Sequence, residues 1–218
     1  MRFKTEYLEL YAITGRGDRS MSEFLDGVKA ALEGGITMLQ LREKGREISE
    51  ILETASFLLP LCKAYGVPLI INDSLETALE AGADGVHLGE GDGDPGDARK
   101  AAGQNFIIGA TCKRPERAVL LEKAGVDYLG SGAIFTSATK PGALHISFET
   151  LKNICKASSL PVAAIGGIGP ENIRDLRGSG IKGAAISSGI FSADDVKARC
   201  VLLKEILKAE VLNDGKEA

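Results

Sequence analysis

Eight short apolar runs, spaced by longer segments of helical periodicity, constrain this chain more than any other feature. They are LELYAIT (8–14), TMLQLR (37–42), PLIIN (68–72), GVHL (85–88), FIIGAT (106–111), YLGSG (128–132), PVAAIG (161–166) and GAAISS (183–188). Runs that are apolar throughout, rather than at alternate positions, describe strands buried on both faces. That is the signature of a parallel sheet covered by helices. The intervening segments supply those helices. In Ser22–Leu32 the residues Phe24, Leu25, Val28, Ala31 and Leu32 form one stripe, and Ile51, Leu52, Ala55, Leu58, Leu59 and Cys62 do the same in Ser49–Tyr65.

A weak repeat strengthens the reading. EGGITMLQLR, EAGADGVHLG, KAGVDYLGSG and GSGIKGAAISSG each set a glycine at a helix end, two or three residues before a strand. Glycine there supplies the left-handed conformation that stops a helix. Eight such units within 218 residues match a closed (β/α)8 barrel, with a doubly wound open sheet as the alternative. The chain reads as one barrel domain over 1–218, its polar end from about 212 expected to fray.

Composition narrows the function. A hydrophobic fraction of 44% supports a full core, and a net charge of -4 argues against a nucleic-acid partner. Cys62, Cys112, Cys155 and Cys200 stand far apart without metal-finger spacing, so they read as small buried hydrophobes in a reducing compartment. The N-terminus lacks the apolar segment of a signal peptide, and no run is long enough to span a bilayer. The expectation is a cytoplasmic protein without a membrane partner. A homo-oligomer is compatible with all of this.

In a barrel the residues that follow the strands gather on one face, where such folds keep their chemistry. Those positions hold Gln40, Arg42, Glu43 and Lys44, then Asn72 and Asp73, then His87, Glu90 and Asp92, then Thr111. Farther on come Ser137, Thr139 and Lys140, the pair Gly166-Gly167, and Ser187-Ser188-Gly189. Three cations with two carboxylates suit a diphosphate bound with Mg²⁺, which takes one or two carboxylates and completes its shell with phosphate oxygens and water. Arg42 offers two-point recognition of phosphate, and Lys44 and Lys140 act as point charges. The glycines and serines after the last two apolar runs suit a monophosphate.

Other motifs carry less. GRGDR (15–19) lacks a dinucleotide fingerprint, and DGDPGD (92–97) lacks the spacing of a calcium loop. With only His87 and His145, a multi-histidine metal site is excluded. His87, on an apolar run, reads as a buried, hydrogen-bonded structural residue.

Taken together, QLREK (40–44), IIND (70–73), GVHLGEGD (85–92), AIFTSATK (133–140), AIGGI (164–168) and AISS (185–188) resemble the thiamine-phosphate synthase family. The resemblance spans nearly the whole chain in order. It implies a (β/α)8 transferase with two small-molecule substrates, joining an aminopyrimidine methyl diphosphate to a thiazole phosphate and releasing diphosphate. By the same implication Gln40 touches the pyrimidine. Arg42, Lys44, Asn72, Thr111 and Lys140 hold the diphosphate, with Arg42, Lys44, Thr111 and Lys140 serving the bond-breaking step. Asp73 and Asp92 bind Mg²⁺. Ser137 and Thr139 meet the thiazole, and Gly167, Ile186 and Ser187 take its phosphate.

The sequence departs from the family pattern at three places. Glu90 stands where HxGQxD has glutamine, TCKR (111–114) replaces a segment resembling SxHT, and GAIFTSATK (132–140) lacks both prolines of GPIFPTxTK. Two other readings stand beside the synthase. One is a thiazole phosphate tautomerase on a related barrel, which needs an acid/base rather than paired aspartates. The other is a barrel that binds thiamine phosphate without turnover.

Overall fold

All eight apolar runs form strands: β1 (Leu10–Thr14), β2 (Met38–Leu41), β3 (Leu69–Asn72), β4 (Gly85–Leu88), β5 (Ile107–Thr111), β6 (Tyr128–Gly132), β7 (Val162–Ile165) and β8 (Gly183–Ile186). The computed structural model describes residues 2–136 and 145–213. Each strand pairs in parallel with its sequence neighbour, and β8 returns to pair with β1 through Leu10–Ala184, Tyr11–Ala185 and Ala12–Ile186. That last ladder closes the barrel and rules out the open sheet.

The helices are α1 (Met21–Glu33), α2 (Ile48–Tyr65), α3 (Leu75–Glu80), α4 (Pro95–Ala102), α5 (Pro115–Lys123), α6 (Phe148–Ala157), α7 (Ser188–Phe191) and α8 (Val196–Ile206). Short polar side chains start most of them. Ser20 and Glu23 form a reciprocal capping box on α1, while Ser74, Asp94, Ser147 and Asp195 each accept from a backbone amide in the first turn of α3, α4, α6 and α8. The calcium-like stretch thereby acquires a structural use, since Asp94 caps α4. One crossover departs from the repeating unit: a 3₁₀ turn, Ile173–Leu176, links β7 to β8 in place of an α-helix. Among the described residues no helix is long and apolar enough to cross a membrane.

The glycine joints do more than end helices. Gly35, Gly82 and Gly125 take φ of 87°, 68° and 78°, and the next residue reaches back to the helix: Ile36 N–H to Ala31, Ala83 to Ala78, Val126 to Leu121. This is the Schellman closure. The residue after that clasps the neighbouring strand twice. Thr37, Asp84 and Asp127 donate their N–H groups to the carbonyls of Leu10, Leu69 and Ile108, and their side-chain oxygens accept from the N–H groups of those same residues. The fourth joint differs. Gly180 has φ 87°, but Lys182 keeps only the backbone half, to Val162.

Two apolar layers result. Leu8, Tyr11, Met38, Ile70, Ile107 and Tyr128 fill the barrel, and a larger shell including Phe24, Leu39, Leu58, Leu129 and Leu203 joins strands to helices. Each fully buried large apolar side chain contributes roughly 1.5–3 kcal/mol. Cys62, Cys112 and Cys200 are buried as expected, whereas Cys155 is half-buried. Glycine makes room for the large interior rings: a Cβ on Gly109 would lie 2.1 Å from the Tyr128 ring, and one on Gly130 would lie 2.9 Å from the His87 ring.

Asp127 also receives the buried Arg99, whose guanidinium lies 2.6 Å from its carboxylate and donates to the carbonyls of Gly103, Phe106 and Gly125. Asp127→Ala should therefore lower unfolding stability by about 3 kcal/mol, because it strands a buried cation and a strand N–H together. Asp127→Asn, which keeps an acceptor for Ile108, should lose less. Urea titration followed by circular dichroism checks both.

Candidate active site

At the C-terminal ends of the strands lies a cavity of about 820 Å³. Gln40, Arg42, Lys44, Asn72, Asp73, Asp92, Thr111, Gly167, Ile186 and Ser187 all line it, although the chain carries them far apart. Ser137, Thr139 and Lys140 lie outside the described residues.

One rim is ionic. Lys44 Nζ stands 3.3 Å from Asp73 Oδ2, and Asp92 Oδ2 accepts from the Gly89 N–H at 2.7 Å. The carboxyl of Asp92 is pushed above the usual range by lost hydration and by the adjoining Asp73 carboxyl. The Gly89 N–H and Lys44 oppose that shift. Two carboxylates held together in this way suit a cation between or beside them. Among the described residues no group of three or more His, Cys, Asp and Glu side chains could hold a metal ion. The pair thus fits a hard divalent ion that draws its other oxygens from substrate and water, rather than a closed protein cage. Asp73 takes φ 71°, the one non-glycine at positive φ among the described residues, and its N–H is tied to the His87 carbonyl at 2.8 Å. A non-glycine in that region is strained, and such strain concentrates at functional sites.

Arg42 is held by its backbone. Its N–H donates to the Thr14 carbonyl at 2.7 Å, and a Cβ on Gly15 would lie 2.4 Å from the Arg42 carbonyl oxygen. The GRGDR stretch is the reason for this close approach. Glu43, nearly buried, accepts from the Arg16 N–H, and Arg46 bridges Glu50 at 3.1 Å while donating to the Gly17 carbonyl. These contacts lash the β1–α1 loop to the β2–α2 loop. On the opposite side Glu90 meets Arg117 at 3.6 Å and Arg114 at 4.0 Å, and Arg117 Nε also donates to the Thr111 carbonyl. The acid found where the family has glutamine is neutralised by arginines around the altered TCKR segment.

The far rim is built from backbone. Gly166 and Gly167 take φ of 102° and 63°, and a Cβ on Gly167 would collide with the Thr136 carbonyl oxygen at 2.4 Å. Asn172 fixes this turn, donating to the Gly167 carbonyl and accepting from the Gly169 N–H, both at 2.9 Å. Ile186 and Ser187 stand beside it, and the buried Thr14 hydroxyl, which has no hydrogen-bond partner among the described residues, lines the same space.

Across the floor runs a hydrogen-bonded series that sequence reading did not find. Gln40 Nε2 donates to the Tyr11 hydroxyl, which lies 2.9 Å from the Tyr128 hydroxyl. His87 Nδ1 is 3.1 Å from Tyr128 Oη, and its Nε2 is 3.2 Å from Thr111 Oγ1. His87 is buried and hydrogen-bonded, as expected, but it also faces the cavity. Burial lowers its pKa to about 4 and raises those of both tyrosines. The legible clue was the inward glycines Gly109 and Gly130, small positions that imply something large opposite.

The family model for thiamine monophosphate synthase matches residues 10–190. Thiamine-phosphate synthase 2 of Streptococcus pneumoniae is 41% identical over 194 residues, covering 89% of this chain and 92% of that protein. The chloroplastic thiamine biosynthetic bifunctional enzyme TH1 of Arabidopsis thaliana is 41% identical over 211 residues. There the match covers 94% of this chain but 40% of the relative, so the chain spans less than half of that bifunctional protein. The solved structure of thiamine phosphate pyrophosphorylase from Pyrococcus furiosus superposes with a TM-score of 0.83 at 34% identity, covering 94% of this chain and 97% of that one.

The strained φ of Asp73 separates backbone from carboxylate. Asp73→Ala and Asp73→Gly both delete the acid, but only alanine keeps a Cβ in the left-handed region. The alanine variant should be less stable than the glycine variant by about 1 kcal/mol. Equal urea midpoints would show that the loop relaxes out of this conformation.

Proposed function

This chain belongs to the thiamine monophosphate synthase family, and from that premise we propose that it joins an aminopyrimidine methyl diphosphate to a thiazole phosphate, giving thiamine phosphate and diphosphate. The observation that carries the reading is one cavity with two unlike rims. Lys44 stands beside the Asp73/Asp92 pair on one side, Arg42 lines the same cavity, and a glycine backbone turn with Ser187 lies on the other side. A tautomerase would need an acid/base and would have no use for paired aspartates beside two cations. A sensor without turnover would not need the strain at Asp73.

The residues divide the work as follows. Arg42 and Lys44 bind the diphosphate, with Asn72 and the Thr111 hydroxyl completing its surroundings and Lys140 reserved for the same group. As the carbon–oxygen bond breaks, its electron pair leaves with the diphosphate, and these fixed charges stabilise the negative charge that develops. Such preorganised charges act without reorganising during the step. Asp73 and Asp92 would hold Mg²⁺, which supplies Lewis-acid neutralisation of the leaving group. Gln40 orients the pyrimidine, whose amino group stabilises the methylene cation. Gly167, Ile186 and Ser187 seat the thiazole phosphate. Ser137 and Thr139 are reserved by the family resemblance for the ring, whose nitrogen lone pair attacks that carbon. Positioning and electrostatics then account for the rate without a protein nucleophile. Capture of the cation by the thiazole requires that water be kept from it.

Incubation with both substrates and Mg²⁺ tests the reading, with thiamine phosphate and diphosphate expected in equal amounts. Excess chelator should abolish turnover, and full activity in chelator would remove the metal assignment. Asp73→Gly should lower kcat by roughly a hundredfold, equivalent to about 3 kcal/mol of lost stabilisation. Thiazole phosphate binding, measured by calorimetry, should be nearly unchanged. Equal weakening of both ligands would contradict two separate phosphate sites.

A further inference from the structure

The floor series takes a single direction when every proton in it is bonded within the series. Gln40 Nε2 carries only hydrogens, so at Tyr11 Oη it can only donate. Tyr11 then has its single proton left for Tyr128, 2.9 Å away. Tyr128 Oη, already accepting, turns its own proton to His87 Nδ1 at 3.1 Å. An Nδ1 that accepts leaves the ring hydrogen on Nε2, which donates to Thr111 Oγ1 at 3.2 Å. Both ends then have a free function of fixed kind, the second Gln40 Nε2 hydrogen aside, and both ends line the cavity. Gln40 keeps its carbonyl oxygen, an acceptor, and Thr111 keeps its O–H, a donor.

We propose that Tyr11, Tyr128 and His87 are positioning residues, a one-way hydrogen-bond chain through the barrel floor that fixes Gln40 as an acceptor and Thr111 as a donor. Resting on the synthase reading above, the Gln40 oxygen receives the exocyclic amino group of the pyrimidine, and the Thr111 hydroxyl donates to the departing diphosphate. The two ends thus recognise opposite ends of one substrate. Reversal of the whole series would turn the Gln40 amide and withdraw the Thr111 proton together. Five hydroxyl, amide and imidazole groups joined by four hydrogen bonds in a low-dielectric interior make such a reversal costly. Closure of the barrel brings β2, β1, β6, β4 and β5 close enough for the chain to exist. Gly109 and Gly130 leave the space that its rings occupy.

Two measurements test it. The chain has two histidines, so ¹⁵N-histidine labelling with a His145→Gln variant assigns His87 directly. The unliganded wild-type protein should show the tautomer with hydrogen on Nε2, and a dominant Nδ1–H tautomer would overturn the proposal. In kinetics, Tyr128→Phe keeps the ring and its stacking on Phe3 but cuts the chain. It should lower kcat about tenfold while moving the KM for thiazole phosphate by less than about twofold. Combined with Thr111→Val, the loss should fall short of the product of the two single losses, since both act through one chain. Activity of Tyr128→Phe equal to wild type, or losses that multiply, would refute the coupling. If wild-type protein forms no thiamine phosphate, the reaction assignment is wrong, and the tautomer still decides the chain.

Discussion

Closure of the barrel in one register is the constraint on which everything else rests. Side chains alternate along a strand, so a slip of one residue would turn Gln40 and Asn72 away from the cavity and into the helical shell. The joints at the opposite end prevent that slip. At Thr37, Asp84 and Asp127 one residue binds both the carbonyl and the N–H of a single partner residue on the adjacent strand. A backbone bond alone would tolerate neighbours. A paired donor and acceptor select one partner, and the polar clasp fixes what apolar packing leaves loose. The active face is therefore set from the far end of the barrel.

The site itself works against stability. Asp73 is strained, its carboxylate crowds that of Asp92, and Lys44 offers an exposed counter-charge. Exposed ion pairs return little, typically under about 1 kcal/mol. The compensation lies nearby in packed and braced loops: Arg42 is fastened by its backbone, and Glu43, Arg16, Arg46 and Glu50 tie two loops together. Rigidity around a strained centre is what lets charges face substrate rather than each other.

How much of this the sequence disclosed depends on the range of the interaction. The strands were legible to within two residues, because burial on both faces leaves an uninterrupted apolar run. Strand-end residues such as Arg42, Asp73, Asp92 and Ser187 were legible once a barrel was assumed, since topology alone brings them to one cavity. The 3₁₀ crossover was not. Ile173 and Leu176 are buried apolar residues at helical spacing, and nothing local distinguishes one tight turn from a helix. Gly109 and Gly130 hint at large rings opposite, but the hydrogen bonds of the floor chain were hidden for a different reason. Tyr11 and Tyr128 are 117 residues apart, and each taken alone looks like core. Only the folded barrel reveals that two core phenols and a histidine share protons.

The pairing of Glu90 with Arg114 and Arg117 bears on the order in which such a sequence can change. In a chain without those arginines, a carboxylate at position 90 would be a third negative charge on a rim that already crowds Asp73 against Asp92. With them in place, it is one half of a bridge toward the Thr111 strand end. At 3.6 and 4.0 Å on an exposed rim these pairs are weak, so the arginines favour the acid at position 90 without being required for it. Residues that look like independent departures from a pattern thus share, in this fold, a single charged patch on the rim of the cavity.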